Sequence, residues 1–231
     1  MNKPERINGT PPSIFRLLTG QHSEFFRPMV FHGTRDVLFK FIREHGGRGA
    51  IKIAVVGCSA GEEVYSLLAA LDQAGLRSRV ELRAIDNDPQ MLIRAQRAAY
   101  SFGEYGGRQN FFEGLAREYR EYFVEHPTDS AFFTLVPRIK KGVHFQLADA
   151  AKSDFKTNVP RQDVVVMNNV LVHVQAEERE KIISNVINSL SPGGLLITNE
   201  DIDHPSLIPA GRAGAIRSYV LRLDSAAQYA Q

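Results

Sequence analysis

Apolar residues along this chain come in two rhythms. Short runs rich in β-branched residues alternate with stretches in which apolar side chains recur every three or four positions. Gly, Pro, Asn and Asp punctuate the joins. The runs Ile51–Val56, Val80–Ile85, Asp163–Met167 and Leu195–Asn199 predict strands, the first of them buried on both faces. Phe132–Val136 and Val143–Leu147 predict two more, and the alternating tail Ser218–Leu223 predicts an edge strand. Helical spacing marks Asp36–Glu44, with Val37, Leu38, Phe41 and Ile42 on one side. It recurs in Val64, Leu67, Leu68 and Leu71, and in Met91, Leu92 and Ala95 after Pro89. Glu177–Leu190 directs Ile182, Ile183, Val186, Ile187 and Leu190 inward. A charged, aromatic helix is expected over Gly114–Phe123, and Ser13 is expected to cap a short helix carrying Ile14, Leu17 and Leu18 after a loose polar arm, residues 1–12. Ser191-Pro192-Gly193-Gly194 reads as a turn. Alternating strands and helices predict an α/β fold: a mostly parallel sheet with helices on both faces and a short helical N-terminal segment. No internal repeat or linker divides the chain. Residues 1–45 are expected to be an arm and helices of the same domain that residues 46–231 build.

Composition narrows the class. The chain has 231 residues, 43% hydrophobic and 23% charged, which is ordinary for a globular protein with a sizeable core. A net charge of +2 gives no reason to expect nucleic acid. One cysteine, Cys58, excludes an internal disulfide and a Cys-based zinc site, and the seven histidines show no metal-binding spacing. No stretch is long and apolar enough for a membrane span, and Met1–Glu5 opens no signal-peptide core, so no membrane partner and a cytoplasmic location are expected.

The chemistry concentrates where Ile51–Val56 meets Gly57-Cys58-Ser59-Ala60-Gly61 and the helix that follows. In one reading this turn cradles a nucleoside-containing cofactor: Gly57 lets the backbone approach closely, Ser59 and Ala60 stay small, and Gly61 packs the helix tightly. In another, the same residues are a G-x-S-x-G elbow with Ser59 as nucleophile and Asp203-His204 as its partners. That reading suffers because no strand precedes Ile51 and adjacent acid and His residues point apart. A third reading is a plain strand–helix crossover. Asp86 favours the first. It ends the next strand about 25 residues after the glycine turn, where an acid accepts hydrogen bonds from ribose hydroxyls. Asp88 is expected to cap the following helix. Residues 100–142, which open on the aromatic, Gly-rich Tyr100–Gly107, are either a wall or lid over the ligand or local core.

Several of these segments resemble one family. Gly57–Ser66 (Gly-Cys-Ser-Ala-Gly-Glu-Glu-Val-Tyr-Ser) is similar to the Cys-Ser-Thr-Gly-Glu-Glu-Pro-Tyr-Ser signature of the chemotaxis-receptor (CheR-type) methyltransferases. Ser23–Arg27 resembles that family's Thr-x-Phe-Phe-Arg, and Ala84–Asp88 its Ala-Thr-Asp-Ile-Asp. Glu121–Phe123 is similar to its Tyr-Phe before a hairpin, Asn168–Val174 to its Arg-Asn-Val-Leu-Ile-Tyr-Phe, and Ser191–Leu196 to its Leu-x-Pro-Gly-Gly-x-Leu. The resemblance covers roughly residues 20–223. It implies a class I, Rossmann-like methyltransferase fold that binds S-adenosylmethionine (SAM).

It also implies a site. Gly57 and Cys58 would lie against the cofactor, with Ser59 in the same turn. Glu62 would hold the methionine ammonium, Asp86 the ribose with Asn87 beside it, Asp149 the adenine side, and Asn169 the methionine end. Arg27 would face the transferring methyl group. Two positions depart from the family pattern on the acceptor side, Asn168 in place of Arg and His173 in place of Tyr. About 20 residues precede the match, too few for the family's helical N-terminal domain. A carboxylate acceptor, such as the family's receptor glutamate, needs no base and only a cation such as Arg27 to orient it. A small-molecule oxygen or nitrogen acceptor needs a proton removed, which fits His173. A core role for His173 in its apolar segment stays open. So do a protein that binds, cleaves or cyclises SAM without methylating, the acceptor's identity, and the oligomeric state.

Overall fold

The structure is a computed structural model that describes residues 25, 26, 28–45, 49–212 and 219–224. The loose arm, the helix after Ser13 and Arg27 lie outside the described residues. Helix α1 (Pro28–His45) packs against the far end of the main sheet. Strand β1 (Ile51–Val56) leads into α2 (Glu62–Gln73), β2 (Val80–Asp86) and α3 (Pro89–Arg97). An insertion follows: β3 (Ala99–Ser101), α4 (Arg108–Gly114), β4 (Phe123–His126) and β5 (Asp129–Leu135). The chain then runs through the short helix α5 (Pro137–Lys140), β6 (Val143–Leu147), the short α6 (Phe155–Asn158), β7 (Gln162–Met167), α7 (Ala176–Ser189) and β8 (Leu190–Thr198). It ends in β9 (Leu207–Arg212) and β10 (Tyr219–Leu223).

Seven strands form one sheet in the order β6-β2-β1-β7-β8-β10-β9. All ladders from β6 to β8 are parallel, and β10 runs antiparallel to both its neighbours. Strand alternation splits the core into two layers. Ile53 and Val55 of β1 face one cluster, with Val64 and Leu68 of α2, Ile42 of α1 and Leu92 of α3. Ala54 and Val56 face the other, with Ile182, Val186 and Ile187 of α7. The expected mostly parallel sheet with helices on both faces is present.

Three local expectations are corrected, and one strand is placed outside the main sheet. Ser218–Leu223 is not an edge strand: β10 sits between β8 and β9, and β9 forms the edge. Ser191–Gly194 is not a turn but part of β8, where the register slips between Gln162↔Leu190 and Val164↔Leu195. Gly194 is required there, because a Cβ would stand 2.8 Å from Ser191 O and 2.9 Å from Asp163 O. The helix expected over 114–123 is replaced by α4 and a 3₁₀ segment, Arg117–Tyr122. The three-residue repeat of that segment places Tyr119 and Tyr122 together in the core. The strand around Phe132–Val136 does not join the main sheet; β5 pairs with β3 and β4 in a separate three-stranded antiparallel sheet.

That small sheet is tied to the domain by aromatic rings. Phe133 is fully buried and meets Phe111 stacked at 4.1 Å between centroids, Phe102 at 4.9 Å and Tyr100 at 5.5 Å. Phe25 meets Phe123 edge-on at 4.9 Å and Tyr100 at 5.0 Å. Replacing Phe133 by Ala removes the centre of this cluster and should cost about 3–5 kcal/mol, read as a lower denaturation midpoint in urea.

Candidate cofactor and acceptor site

The C-terminal ends of β1, β2, β6 and β7 form one edge, and the polar residues singled out from the sequence collect along it. The turn after β1 is shaped by its backbone. Gly57 has φ +71°, and a Cβ there would stand 2.6 Å from Val170 Cγ2. Ser59 is held at φ +49°, a conformation that an L-residue keeps only when its surroundings enforce it. Two hydrogen bonds supply that: Cys58 N–H donates to Ile85 O at 2.9 Å, and Ser59 N–H donates to Asp86 Oδ2 at 2.7 Å. Gly61, at φ +92°, lets α2 start against α3, where its Cβ would meet Ala95 Cβ at 3.0 Å.

Asp86 also accepts Asp88 N–H at Oδ1, 2.9 Å. Burial pushes the carboxyl above its ordinary range, and the amides of Asp88, Ser59 and Asn87 pull it back. Asp88 instead caps α3, accepting Gln90 N–H at 2.7 Å. Asn87 is exposed. One strand over, Ala148 N–H donates to Asp86 O at 3.0 Å. That places Asp149 on the same edge, half-buried, with Oδ1 accepting Ala151 N–H at 2.9 Å.

Glu62, in the first turn of α2, is fully buried and accepts Tyr105 Oη–H at 3.0 Å. The helix N-terminus favours this negative charge. Tyr105 belongs to the 3₁₀ turn Phe102–Tyr105, which the Arg94–Glu104 ion pair ties to α3. Tyr100 Oη–H donates to Ala60 O at 2.7 Å, so β3 buttresses the turn from behind. In the Tyr100–Gly107 stretch Tyr100 and Phe102 are buried in the core, while Tyr105 reaches a carboxylate. Cys58 is buried, and burial together with the Asp86 carboxylate pushes its thiol well up, so it stays neutral.

On the acceptor side, β7 ends at Met167. Asn168 Nδ2–H donates to Glu63 Oε1 at 2.6 Å, and the buried Asn168 Oδ1 has no hydrogen-bond partner among the described residues. Asn169 sits at φ +54° and exchanges two hydrogen bonds with the Asn199 side chain. His173 is exposed at the end of the 3₁₀ turn Leu171–His173, beside Val172, which is 59% exposed. It is therefore not a core residue. Ser59 Oγ–H meets Met91 Sδ at 3.8 Å rather than an imidazole. The elbow reading thus lacks its base at the hydroxyl. Tyr105 and Val170 lie in segments marked from the sequence but have no individual role there, and Asn199 only ends a strand; each matters through a residue more than 25 positions away.

The family model "CheR methyltransferase, SAM binding domain" matches residues 21–206. The chain belongs to the CheR methyltransferase family. Its class is SAM-dependent methyltransferase, and SAM is its cofactor. The probable biofilm formation methyltransferase WspC of Pseudomonas aeruginosa is 26% identical over 196 residues, covering 83% of this chain and 44% of that protein. A chemotaxis protein methyltransferase of Listeria innocua is 28% identical over 195 residues, covering 82% of this chain and 69% of that protein. The chain therefore spans less than half the length of the first relative and about two-thirds of the second. Among solved structures, the rRNA methyltransferase aviRa of Streptomyces viridochromogenes superposes with a TM-score of 0.52 at 14% identity, covering 96% of this chain and 94% of that one. The CurJ carbon methyltransferase does so with 0.51 at 13% identity, covering 82% and 52%. These neighbours establish the class I, Rossmann-like methyltransferase fold for this CheR-family domain. Among the described residues, no helix is long and apolar enough to cross a membrane.

The contact between Gly57 and Val170 is directly testable in the CheR-family domain. Gly57→Ala should destabilise it by about 1–3 kcal/mol, because a β-carbon is forced into positive φ and against Val170. In a Val170→Ala background the cost should fall. Urea denaturation of the single and double variants reads the difference.

Proposed function

We propose that this domain binds SAM along the β1–β2–β6 edge and passes its methyl group to a carboxylate presented by a partner protein at the Asn169–His173 turn. The observation that carries the cofactor half is Asp86. Backbone amides already fix its carboxylate, and an ionised carboxylate has about four acceptor positions, so acceptor capacity remains for a ribose hydroxyl. The rest of the edge fits the same ligand. Gly57, half-exposed, has no side chain to stand between its backbone and a ligand; Glu62 is a buried carboxylate for an ammonium; Asp149 keeps one carboxylate oxygen for the adenine side. When bound, SAM supplies an electrophilic methyl on a sulfonium. The residues' task is to align donor and acceptor and to exclude water.

Support for the acceptor half is the open turn: Val172 and His173 are exposed, which suits a side chain delivered on a macromolecular surface. A carboxylate arrives ionised and asks for no base. Arg27 is the proposed orienting cation. The relatives' names, a chemotaxis protein methyltransferase and a biofilm formation methyltransferase, agree with a signalling role. A second reading rests on exposed His173 as base for a small-molecule oxygen or nitrogen acceptor.

Calorimetric titration with SAM and S-adenosylhomocysteine tests the cofactor half, and release of S-adenosylhomocysteine that depends on added acceptor tests methylation. Acceptor-independent breakdown of SAM would favour a SAM-converting enzyme instead. Asp86→Ala should weaken SAM binding by about 1–3 kcal/mol, from the loss of charge-assisted hydrogen bonds; unchanged binding would remove Asp86 from the ribose site. His173→Phe should leave SAM affinity intact. It should slow turnover only if the acceptor must lose a proton, so unchanged turnover points to the carboxylate.

Asp86 also sets a pH dependence. Its folded pKa lies above the ordinary 3.8, so ionisation costs fold stability as pH rises through that folded value, whereas ribose binding uses the ionised form. Acidification should therefore weaken SAM binding at a higher pH than an exposed aspartate would titrate, and Asp86→Asn should flatten this profile.

A further inference from the structure

The turn that carries Asn169, Val170 and His173 has little regular structure of its own. After β7 ends at Met167, its backbone enters positive φ at Asn169 and closes one short 3₁₀ turn. Two adjacent residues just past the end of the neighbouring strand β8 hold it. Asn169 N–H donates to Asn199 Oδ1 at 2.9 Å, and Asn199 Nδ2–H returns to Asn169 Oδ1 at 2.8 Å. Val172 N–H donates to Glu200 Oε1 at 2.9 Å. Burial raises the Glu200 pKa above the ordinary carboxylate range, and the amides of Val172, Leu171 and Val170, with the Arg179 charge, offset part of that rise. These are the amides at the start of a 3₁₀ turn, which have no partner within the turn. Glu200 is itself anchored: its N–H donates to Thr198 Oγ1 at 3.1 Å. Its other oxygen, Oε2, is buried with no hydrogen-bond partner among the described residues. Burying a carboxylate is costly; the Arg179 charge offsets part of that cost, and the hydrogen bond of the Glu200 side chain goes to this turn.

We infer that Asn199 and Glu200 are positioning residues for the cofactor: they hold the Asn169–His173 turn so that Val170 seats on Gly57 and walls the glycine turn. The inference rests on the proposed SAM site. Neither residue needs to touch SAM. Asn199 sets the strained residue at the start of the turn and Glu200 sets its amides. Val170, between them, stands where a Cβ on Gly57 would collide with it at 2.6 Å. If the turn drifts, the space beside Gly57 changes shape.

The test uses the purified chain and three variants, Glu200→Ala, Glu200→Gln and Asn199→Ala. Amide hydrogen exchange is followed by mass spectrometry, and SAM affinity by calorimetry. In Glu200→Ala, exchange should quicken at 169–173 while β1, β2 and α2 keep their protection, and SAM affinity should fall about tenfold. Glu200→Gln keeps an oxygen for the Val172 amide and should restore affinity to within about threefold of the parent. A residue that merely stabilised the fold would lower the denaturation midpoint yet leave the affinity of the folded protein unchanged. Asn199→Ala reports on the same turn if Glu200→Ala does not fold. Folded variants with parental exchange at 169–173 and parental SAM affinity would overturn the inference alone. A parent chain that binds no SAM would overturn the cofactor reading, and this inference with it.

Discussion

One carboxylate joins the two halves of the ligand edge. Asp86 stands at the end of β2, and its two oxygens accept the amide of Ser59 from the turn after β1 and the amide of Asp88 at the start of α3. Both amides belong to backbone that has left its strand and has no ladder partner. Without this acceptor, only the Cys58–Ile85 hydrogen bond would tie the glycine turn to β2 and support the positive φ of Ser59. The carboxylate suffers from burial, which raises its pKa, yet its hydrogen bonds keep it an acceptor. Structure and proposed chemistry therefore use the same group: the amides immobilise the carboxylate that is proposed to accept the ribose.

The three-stranded insertion does a second job from behind that turn. Its rings pack around fully buried Phe133, and two of its tyrosines point polar ends at the candidate site. Tyr100 reaches the carbonyl of Ala60, and Tyr105, from the adjoining 3₁₀ turn, reaches Glu62. Each tyrosine combines an apolar body that joins the core with one hydroxyl that satisfies a buried acceptor. This lets a fully buried carboxylate persist at the start of α2 without leaving an unpaired oxygen beside Tyr105. The insertion is therefore a packing element that also sets the polarity of one wall.

The proposed acceptor side is built on a different principle. Where the proposed cofactor edge is lined by strand ends, the Asn169–His173 turn is irregular backbone held by two side chains just past the end of β8. In-line methyl transfer tolerates little misplacement of donor and acceptor. A turn fixed by Asn199 and Glu200 on one side and seated on Gly57 on the other meets that need while leaving Val172 and His173 open to a partner.

Much of this was legible in the sequence. The β-branched runs at Ile51–Val56 and Asp163–Met167 had to be central strands, and Val64, Leu67, Leu68 and Leu71 had to be an inward helix face, because both patterns are local consequences of backbone period. The run Gly57–Ser66 and Asp86 lie at strand ends where position along one strand predicts the edge they share. What needed the tertiary structure was pairing. Whether the tail strand lies at an edge depends on β9 folding beside it. Whether the Phe132–Val136 stretch joins the main sheet depends on β3 and β4. Whether His173 is core or surface depends on a turn capped from β8. Likewise, Tyr105, Val170 and Asn199 acquire meaning only from partners 30 or more residues away. Period and turn chemistry are written in neighbouring residues. Register, burial and the matching of one buried polar group to another are settled only when the sheet closes.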